Sequence, residues 1–265
     1  MDKILSLLSL SKRQQFVLSV FALSVGIFAS QFTSGILLYA ISFVLSLTSS
    51  ILFFAATRSD LSVKVSYPIF ILPFFYTLSF ALFYPLIPAR FLTHIITTSI
   101  YAFGLYSLLL TQNIFAVSTI RTINLLRSAR IVSFVLTIIV LFLISNVIFS
   151  QRMPIYVASP LIFIVSFLLI FQSMWTYVLK RDFASDILAL SLLIGFATSQ
   201  LSLILSIWPI NPAIYSIFIT GMFYAYSGLC HAWVEKRLFR NVLWEYVWVG
   251  LLAILILILF SRWGS

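Results

Sequence analysis

The chain has 265 residues, of which 62% are hydrophobic and 8% are charged, and its formal net charge is +10. A soluble domain has about a quarter charged residues, and a chain of this length cannot cover so much apolar surface with so few polar groups. Several uncharged stretches exceed the ~18 residues that cross a hydrocarbon core as a helix. The composition therefore excludes a soluble fold and predicts an all-α polytopic membrane bundle.

Charged residues and turn residues divide the chain into nine predicted transmembrane helices, which form a single integral membrane domain, residues 1–265. They are predicted near residues 14–31, 34–56, 65–88, 91–112, 131–150, 154–178, 187–207, 213–233 and 246–261. Two breaks carry no charge, QFTSG before the second helix and WPINP before the eighth. The two prolines of WPINP disfavour helix before them, which makes that break the firmer one.

The first and last apolar stretches could each be something other than a transmembrane helix. No good cleavage pattern follows the first apolar run, which is therefore interpreted as an uncleaved span. Only 16 residues separate Glu245 from Arg262. A helix of that length is about 24 Å long, which is short of a hydrocarbon core of ~30 Å. We expect the last helix to cross with some local thinning of the bilayer.

Lysine and arginine alternate between dense and sparse connections along the nine helices. With the N-terminus in the cytoplasm, all of the 16 basic residues except Arg90, Arg152 and Arg262 fall in cytoplasmic segments. Cytoplasmic loops collect Lys and Arg, and a wrong number of helices would scramble this alternation. The pattern predicts a cytoplasmic N-terminus and a C-terminus outside.

The connection between the fourth and fifth helices contains Arg121, Arg127 and Arg130 and no acid. Its apolar residues are scattered around a helical wheel, so no apolar face is available to lie in the membrane surface. The pattern favours a marker of the cytoplasmic side, whose long side chains reach lipid headgroups. A dedicated site for anionic lipid headgroups is the alternative.

Stripes of small residues run along the first, second, seventh and eighth helices. Apolar side chains gain little by leaving lipid for one another, so small residues that let backbones approach mark helix contacts. Members of these stripes are Gly26, Ser46, Gly195, Ser199, Gly221, Ala225 and Gly228. We interpret them as packing seams, with a hydroxyl-lined permeation path as the alternative, and expect these four helices to be central.

The Phe-rich third and sixth helices are expected at the periphery. Pro73 and Pro160 lie inside them and predict a bend or a local break in each. The two helices share a weak similarity, YPIFILPFFYTLSF and MPIYVASPLIFIVSF. It would make an inverted repeat, although chance matches are frequent in a chain rich in Phe, Ile and Ser.

The best candidate for a polar site is His231 with Glu235 and Arg237 at the cytoplasmic end of the eighth helix. Residues four apart share a helix face, so His231 and Glu235 are both expected to point into the bundle. Such a pair could be a proton relay or half of a metal site. No further ligand-rich stretch completes it, which favours a structural pair closing the helix end.

The sequence offers little else for chemistry. No Asp, Glu, Lys or Arg lies in the middle of a predicted helix, whereas such residues mark most ion-coupled pathways. No phosphate-binding loop, HExxH, GxSxG or CxxC motif occurs, and the single cysteine, Cys230, excludes an intramolecular disulfide. We expect no enzyme activity, no catalytic residue, no metal and no cofactor.

Two functions from different classes fit these features. The first is a non-enzymatic scaffold or complex subunit, and the alternative is an uncoupled transporter or channel for a small neutral or apolar solute. The expected partners are the lipid bilayer, anionic headgroups and other membrane proteins. Nucleic acid is not expected, because the basic residues form no single patch. In composition alone the chain resembles polytopic proteins of bacterial inner membranes, which implies that location.

The predicted topology can be tested with alkaline phosphatase fusions in a bacterial host. We expect a fusion after Ser265 to be active and one after Arg237 to be inactive, since this enzyme forms its disulfides only outside the cytoplasm. The measurement is phosphatase activity normalised to the amount of fusion protein. A fusion after Arg152 provides a second outside point, and activity reversed between Arg237 and Ser265 would contradict the orientation.

Overall fold

The computed structural model describes residues 11–61, 67–88, 90–118, 125–179 and 185–261, with the side chains of 59–61 excluded. In these ranges the chain contains no strand, and nine helices are long and apolar enough to cross a membrane. The helices are α1 Lys12–Ser30, α2 Ile36–Leu61, α3 Ile71–Phe83, α4 Phe91–Ser118, α5 Leu126–Ser150, α6 Ile155–Val178, α7 Ser185–Leu205, α8 Pro212–Val234 and α9 Arg240–Phe260. The chain is a multi-pass helical membrane protein, and the predicted number and order of helices are confirmed for the part described.

Two helices begin earlier than the charge pattern predicts. Helix α5 begins at Leu126, so Arg127 and Arg130 lie in its first turns and not in a loop. Helix α9 begins at Arg240 and includes Glu245. Its 21 residues extend over about 30 Å, so it is no longer too short to cross. Charge marks where hydrocarbon ends, but the backbone remains helical into the headgroup region.

Both uncharged breaks are turns with recognisable chemistry. Gly35 has a φ of +67°, a conformation that glycine adopts without steric cost, and α2 begins at the next residue. Helix α8 begins with Pro212, and the Asn211 side chain accepts a hydrogen bond of 2.9 Å from the Ile214 N–H. Proline at the first helical position after an Asn cap is a standard helix start.

The chain folds as two compact units, Met1–Leu136 and Thr137–Ser265, and the boundary between them falls within α5. In the first unit, α2 packs along both α1 and α3, and α4 packs mainly against α1. In the second unit, α7 packs along α6, and α8 contacts α7 and α9. Each unit therefore has its own set of packed helix pairs.

The third helix changes from 3-10 to α geometry two residues before Pro73 and then continues through it. A 3-10 turn, Tyr67–Phe70, precedes α3, and a second one, Tyr84–Leu86, follows it. Hydroxyl groups of α2 donate to carbonyls here: Ser49 to Pro73 at 3.0 Å and Ser50 to Phe70 at 3.4 Å. These bonds link α2 to the start of α3. Helix α6 is likewise helical without interruption through Pro160.

The expectation that α3 is peripheral is wrong. Of its apolar window, 56% is buried, against 33% for α1 and 28% for α2. Its Tyr76 ring stacks on Tyr101 of α4 with centroids 5.6 Å apart, and Tyr76 also lies against Gly104. Aromatic rings fill the space between helices as well as they face lipid, so a high Phe content does not indicate the periphery.

The most extensive helix contact in the second unit joins α6 and α7. A Cβ atom added to Gly195 would lie 3.0 Å from Cβ and 3.2 Å from Cα of Phe167. Nearby, Ser159 and Ser199 exchange hydrogen bonds, each hydroxyl donating to the other residue's carbonyl at 3.1 and 3.0 Å. Thr198 adds a bond of 2.7 Å to the Ser166 hydroxyl. Small residues and hydroxyls thus act together at this seam.

The small residues of α8 pack against α9. A Cβ atom on Gly221 would approach that of Ala253 to 2.9 Å, and Gly228 lies directly against the Tyr246 ring. The packing around Gly250 is less tight, since the nearest neighbours would lie 3.9 Å from an added Cβ atom. The stripe of α8 therefore forms a contact with its successor in the chain.

We expect Gly195→Ala to destabilise the protein by about 1–3 kcal/mol, because the methyl group pushes against backbone that is itself part of a packed helix. The measurement is the thermal unfolding midpoint of the purified protein in detergent. Gly250→Ala is the matched control, because its methyl group would make only ordinary van der Waals contacts at 3.9 Å. Equal midpoints for the two variants would show that the seam is not tightly packed.

Candidate functional site

The stripe residues of α1 and α2 lie together in the first unit. A Cβ atom on Gly26 would meet Cδ2 of Leu45 at 2.6 Å. Ser42 and Ser46 are fully buried, and their hydroxyls donate to carbonyls of their own helix at 2.7 Å. Ser191 of α7 does the same, with a bond of 2.7 Å to Ile187. A hydroxyl that donates to its own backbone satisfies its only proton there.

His231 is brought into contact with α6. The residue is 5% exposed, and its Nε2 lies 3.0 Å from the Ser173 hydroxyl, in a hydrogen bond whose direction depends on the tautomer. The imidazole also stacks on the Tyr177 ring, with centroids 4.3 Å apart and planes 17° from parallel. We call His231, Ser173 and Tyr177 the His231 cluster. It joins α6 to α8 through a buried polar contact.

The rest of the predicted site lies at the end of the helix. Helix α8 ends at Val234, and Glu235 follows it as the cap residue. Lys236 has a φ of +57°, and the Arg237 N–H closes the end by donating to the Ala232 carbonyl at 2.8 Å. The Arg237 guanidinium lies 3.7 Å from the Glu235 carboxylate, and the two side chains are 64% and 32% exposed. An ion pair this exposed contributes little to stability.

The sequence also singled out three arginines before α5 and predicted no metal site. Arg121 lies outside the described residues. Arg127 is exposed and Arg130 is half-buried at the start of α5. Within the described ranges, no three His, Cys, Asp or Glu side chains are close enough to hold a metal ion. Cys230, beside His231 in sequence, is a half-buried free thiol.

A cavity of about 500 Å³ opens at the opposite end of the second unit from His231. It lies between the α5–α6 and α7–α8 connections, and Arg152, Ser206 and Tyr215 are among its lining residues. Tyr215 shares a hydrogen bond of 2.6 Å with the Ser202 hydroxyl. We call this cavity the Arg152 pocket. Its volume falls in the range of small-molecule sites, roughly 300–1,000 Å³.

A second cavity, of about 630 Å³, lies in the first unit between the α1–α2 and α3–α4 connections. Gln31, Phe32, Tyr84 and His94 are among its lining residues. The Tyr84 and His94 rings stack with centroids 4.9 Å apart. We call it the His94 pocket. The sequence pattern does not predict either cavity, although it identifies two of the connections that bound them, QFTSG and WPINP, as helix breaks.

Comparison with known proteins gives one match. A family model described as "Protein of unknown function (DUF5656)" matches residues 54–260, which is more than half of the chain. No curated protein and no solved structure matches the chain.

We expect Ser173→Ala to destabilise the protein by about 1 kcal/mol, because it removes the hydroxyl that meets His231 Nε2 in a buried place. The measurement is again the unfolding midpoint in detergent. Ser107→Ala serves as the control, since that hydroxyl donates to the Phe103 carbonyl of its own helix. If both variants unfold at the wild-type temperature, the His231 cluster contributes nothing to packing.

Proposed function

The chain belongs to the family Protein of unknown function (DUF5656), and we propose that it is a non-enzymatic subunit of a membrane complex. The observation that carries this proposal is that the hydroxyl groups of the small-residue stripes are hydrogen-bonded within the protein. Ser46 and Ser191 each donate to their own helix, and Ser159 and Ser199 bond to each other. Hydroxyls engaged in this way leave no line of free donors for a passing solute.

The helix seams support the same proposal. Glycines at Gly195, Gly221 and Gly228 bring neighbouring helices into contact, so the stripes are filled by protein. Helix contacts that are filled by protein hold the bundle together and leave no passage for a solute. Activity then belongs to the complex in which the protein takes part, and we expect other membrane proteins as partners.

The absence of enzyme activity is part of the proposal. The His231 cluster has the dimensions of a helix contact, since its imidazole is enclosed by Ser173 and Tyr177. A general acid or base has to reach a substrate. We further propose that the protein resides in a bacterial cytoplasmic membrane with its N-terminus inside. In that orientation Arg127 and Arg130, at the start of α5, are close to anionic headgroups.

The second candidate function is uncoupled transport of a small neutral or apolar solute. The observation in its favour is the pair of cavities, of about 500 and 630 Å³. A transporter needs a site of this size that is reached from both sides of the membrane. Labelling of engineered cysteines distinguishes the two functions.

We expect single cysteines at Ser46, Ser191 and Ser199, in a Cys230→Ser background, to resist a membrane-impermeant maleimide applied from either side. Serine and cysteine are similar in size, so each substitution tests access at the seam with little repacking. The measurement is the labelled fraction in vesicles of both orientations. Ser128→Cys is the control, because that residue is exposed at the start of α5.

The outcomes separate the proposals. Labelling at the seam positions would indicate water between the helices and would favour transport. Absence of labelling there, together with recovery of a partner at a fixed ratio after extraction in lipid nanoparticles, supports the complex subunit. A strictly monomeric particle in native membrane extracts contradicts it.

A further inference from the structure

Two stretches of the chain share an unusual pattern. YPLIPA begins at Tyr84, and WPINPA begins at Trp208. Both read aromatic, Pro, aliphatic, any residue, Pro, Ala. The chain has only 8 prolines, and four of them lie in these two stretches at the same spacing. Proline is rare enough here that this match is more informative than one among Phe, Ile and Ser residues.

The two stretches occupy the same place in the order of helices. The first joins α3 to α4, and the second joins α7 to α8. A second correspondence lies upstream, where α1 and α5 both end at the serine of a Ser-Gln pair, at Ser30 and Ser150. In both cases the next helix begins at an isoleucine, Ile36 or Ile155. Helices α1 to α4 thus correspond to α5 to α8, and α9 follows them.

Contacts among the second, third and fourth helices of each unit recur in the same order, whereas the extensive α1–α2 contact has no counterpart of similar extent between the described residues of α5 and α6. Helix α2 lies along α3 just as α6 lies along α7, and the α3–α4 contact has its counterpart in α7–α8. The α1–α4 contact is extensive, and at the corresponding place in the second unit the Phe149 ring of α5 stacks on Tyr215 of α8 as a smaller contact, with centroids 4.2 Å apart. This correspondence pairs α6 with α2. It differs from the inverted similarity of the third and sixth helices.

The two cavities lie at corresponding connections. The His94 pocket is bounded by α1–α2 and α3–α4, and the Arg152 pocket by α5–α6 and α7–α8. Gln31 and Gln151 correspond in sequence, so the residues after them, Phe32 and Arg152, correspond as well. One pocket therefore has an aromatic ring where the other has a permanent positive charge.

The Arg152 pocket is suited to a negatively charged group. Arg152 lines it, and none of its lining residues is acidic. Helix α6 begins in its wall after Pro154, whose side chain provides no capping oxygen. The free N–H groups and the dipole of a helix start favour an anion. Arginine presents several donors to a phosphate or carboxylate in a fixed geometry.

The remaining lining of the Arg152 pocket is largely apolar. Phe149, Met153 and Ile210 contribute to it, and the Tyr215 hydroxyl is engaged with Ser202. A small inorganic anion gains nothing from contact with apolar walls, whereas an acyl or isoprenoid chain gains free energy by burying its apolar surface there. The combination of one cation with apolar walls indicates an amphiphile.

We propose that the chain is a tandem duplication of a four-helix unit whose copies each carry a pocket between corresponding connections, and that Arg152 makes the second pocket a site for an amphiphile with a phosphate or carboxylate headgroup. The first copy, with Phe32 at this position, lacks that preference. The proposal goes beyond a role as a complex subunit and does not depend on it.

The test uses the full chain purified in a neutral detergent and titrated with short-chain phosphatidylglycerol, phosphatidylcholine or inorganic phosphate. A ligand that binds the folded state raises the unfolding temperature. Phosphatidylglycerol is expected to raise it, and phosphatidylcholine and inorganic phosphate are not. Arg152→Asn is expected to weaken the response on the order of tenfold in ligand concentration, as loss of a charged hydrogen-bond partner does.

The controls allow for the backbone at this position. Arg152 has a φ of +48°, and asparagine tolerates that conformation better than most residues. Arg152→Lys retains the charge and should keep the response to phosphatidylglycerol. Arg90→Asn removes a cation that lines neither pocket and should also keep it.

A gain-of-function variant keeps the test decisive if Arg152→Asn does not fold. Phe32→Arg places the cation in the corresponding position of the His94 pocket, and it should increase the number of phosphatidylglycerol molecules bound, as counted by native mass spectrometry. An equal response to inorganic phosphate would assign the site to a free anion. That result, no preference for phosphatidylglycerol, or a full response in Arg152→Asn would each overturn the proposal.

Discussion

The structure depends on one constraint, which is that a peptide group inside hydrocarbon has no water to bond with. Helix satisfies this need within each segment, and the same need governs the hydroxyl side chains. Ser42, Ser46 and Ser191 donate to their own helices. Where hydroxyls do reach across, as in the Ser159–Ser199 exchange, both donors are satisfied at once. Polar groups thereby stabilise the bundle without opening it to water.

The helices can approach closely because their polar groups are satisfied within the bundle. With little to gain from moving apolar side chains out of lipid, helices gain stability from dispersion contacts, which need small residues at the interface. Gly195 provides that contact between α6 and α7, and Gly221 with Gly228 between α8 and α9. The interiors of the two units are therefore specialised for packing, which leaves the connections and the outer surfaces as the places for binding.

The connections differ from the seams in both shape and chemistry. The two pockets lie where helices end in turns, most of which contain proline and break the regular packing. Connecting segments vary more freely than packed helices and commonly carry specificity on a rigid scaffold. In the proposed duplication, the aromatic residue of one pocket, Phe32, and the cation of the other, Arg152, lie at corresponding positions in these connections.

The sequence by itself determined the number and order of the nine helices, and the turn chemistry between several of them, because hydrophobic length and capping are local properties of the chain. It also marked the small-residue stripes. Only the tertiary structure decided that the stripe of α8 faces α9, that α3 is buried, and that His231 meets Ser173. A buried apolar face and a lipid-facing one have the same hydropathy. Which residues meet across helices, and where pockets remain, depends on positions far apart in sequence.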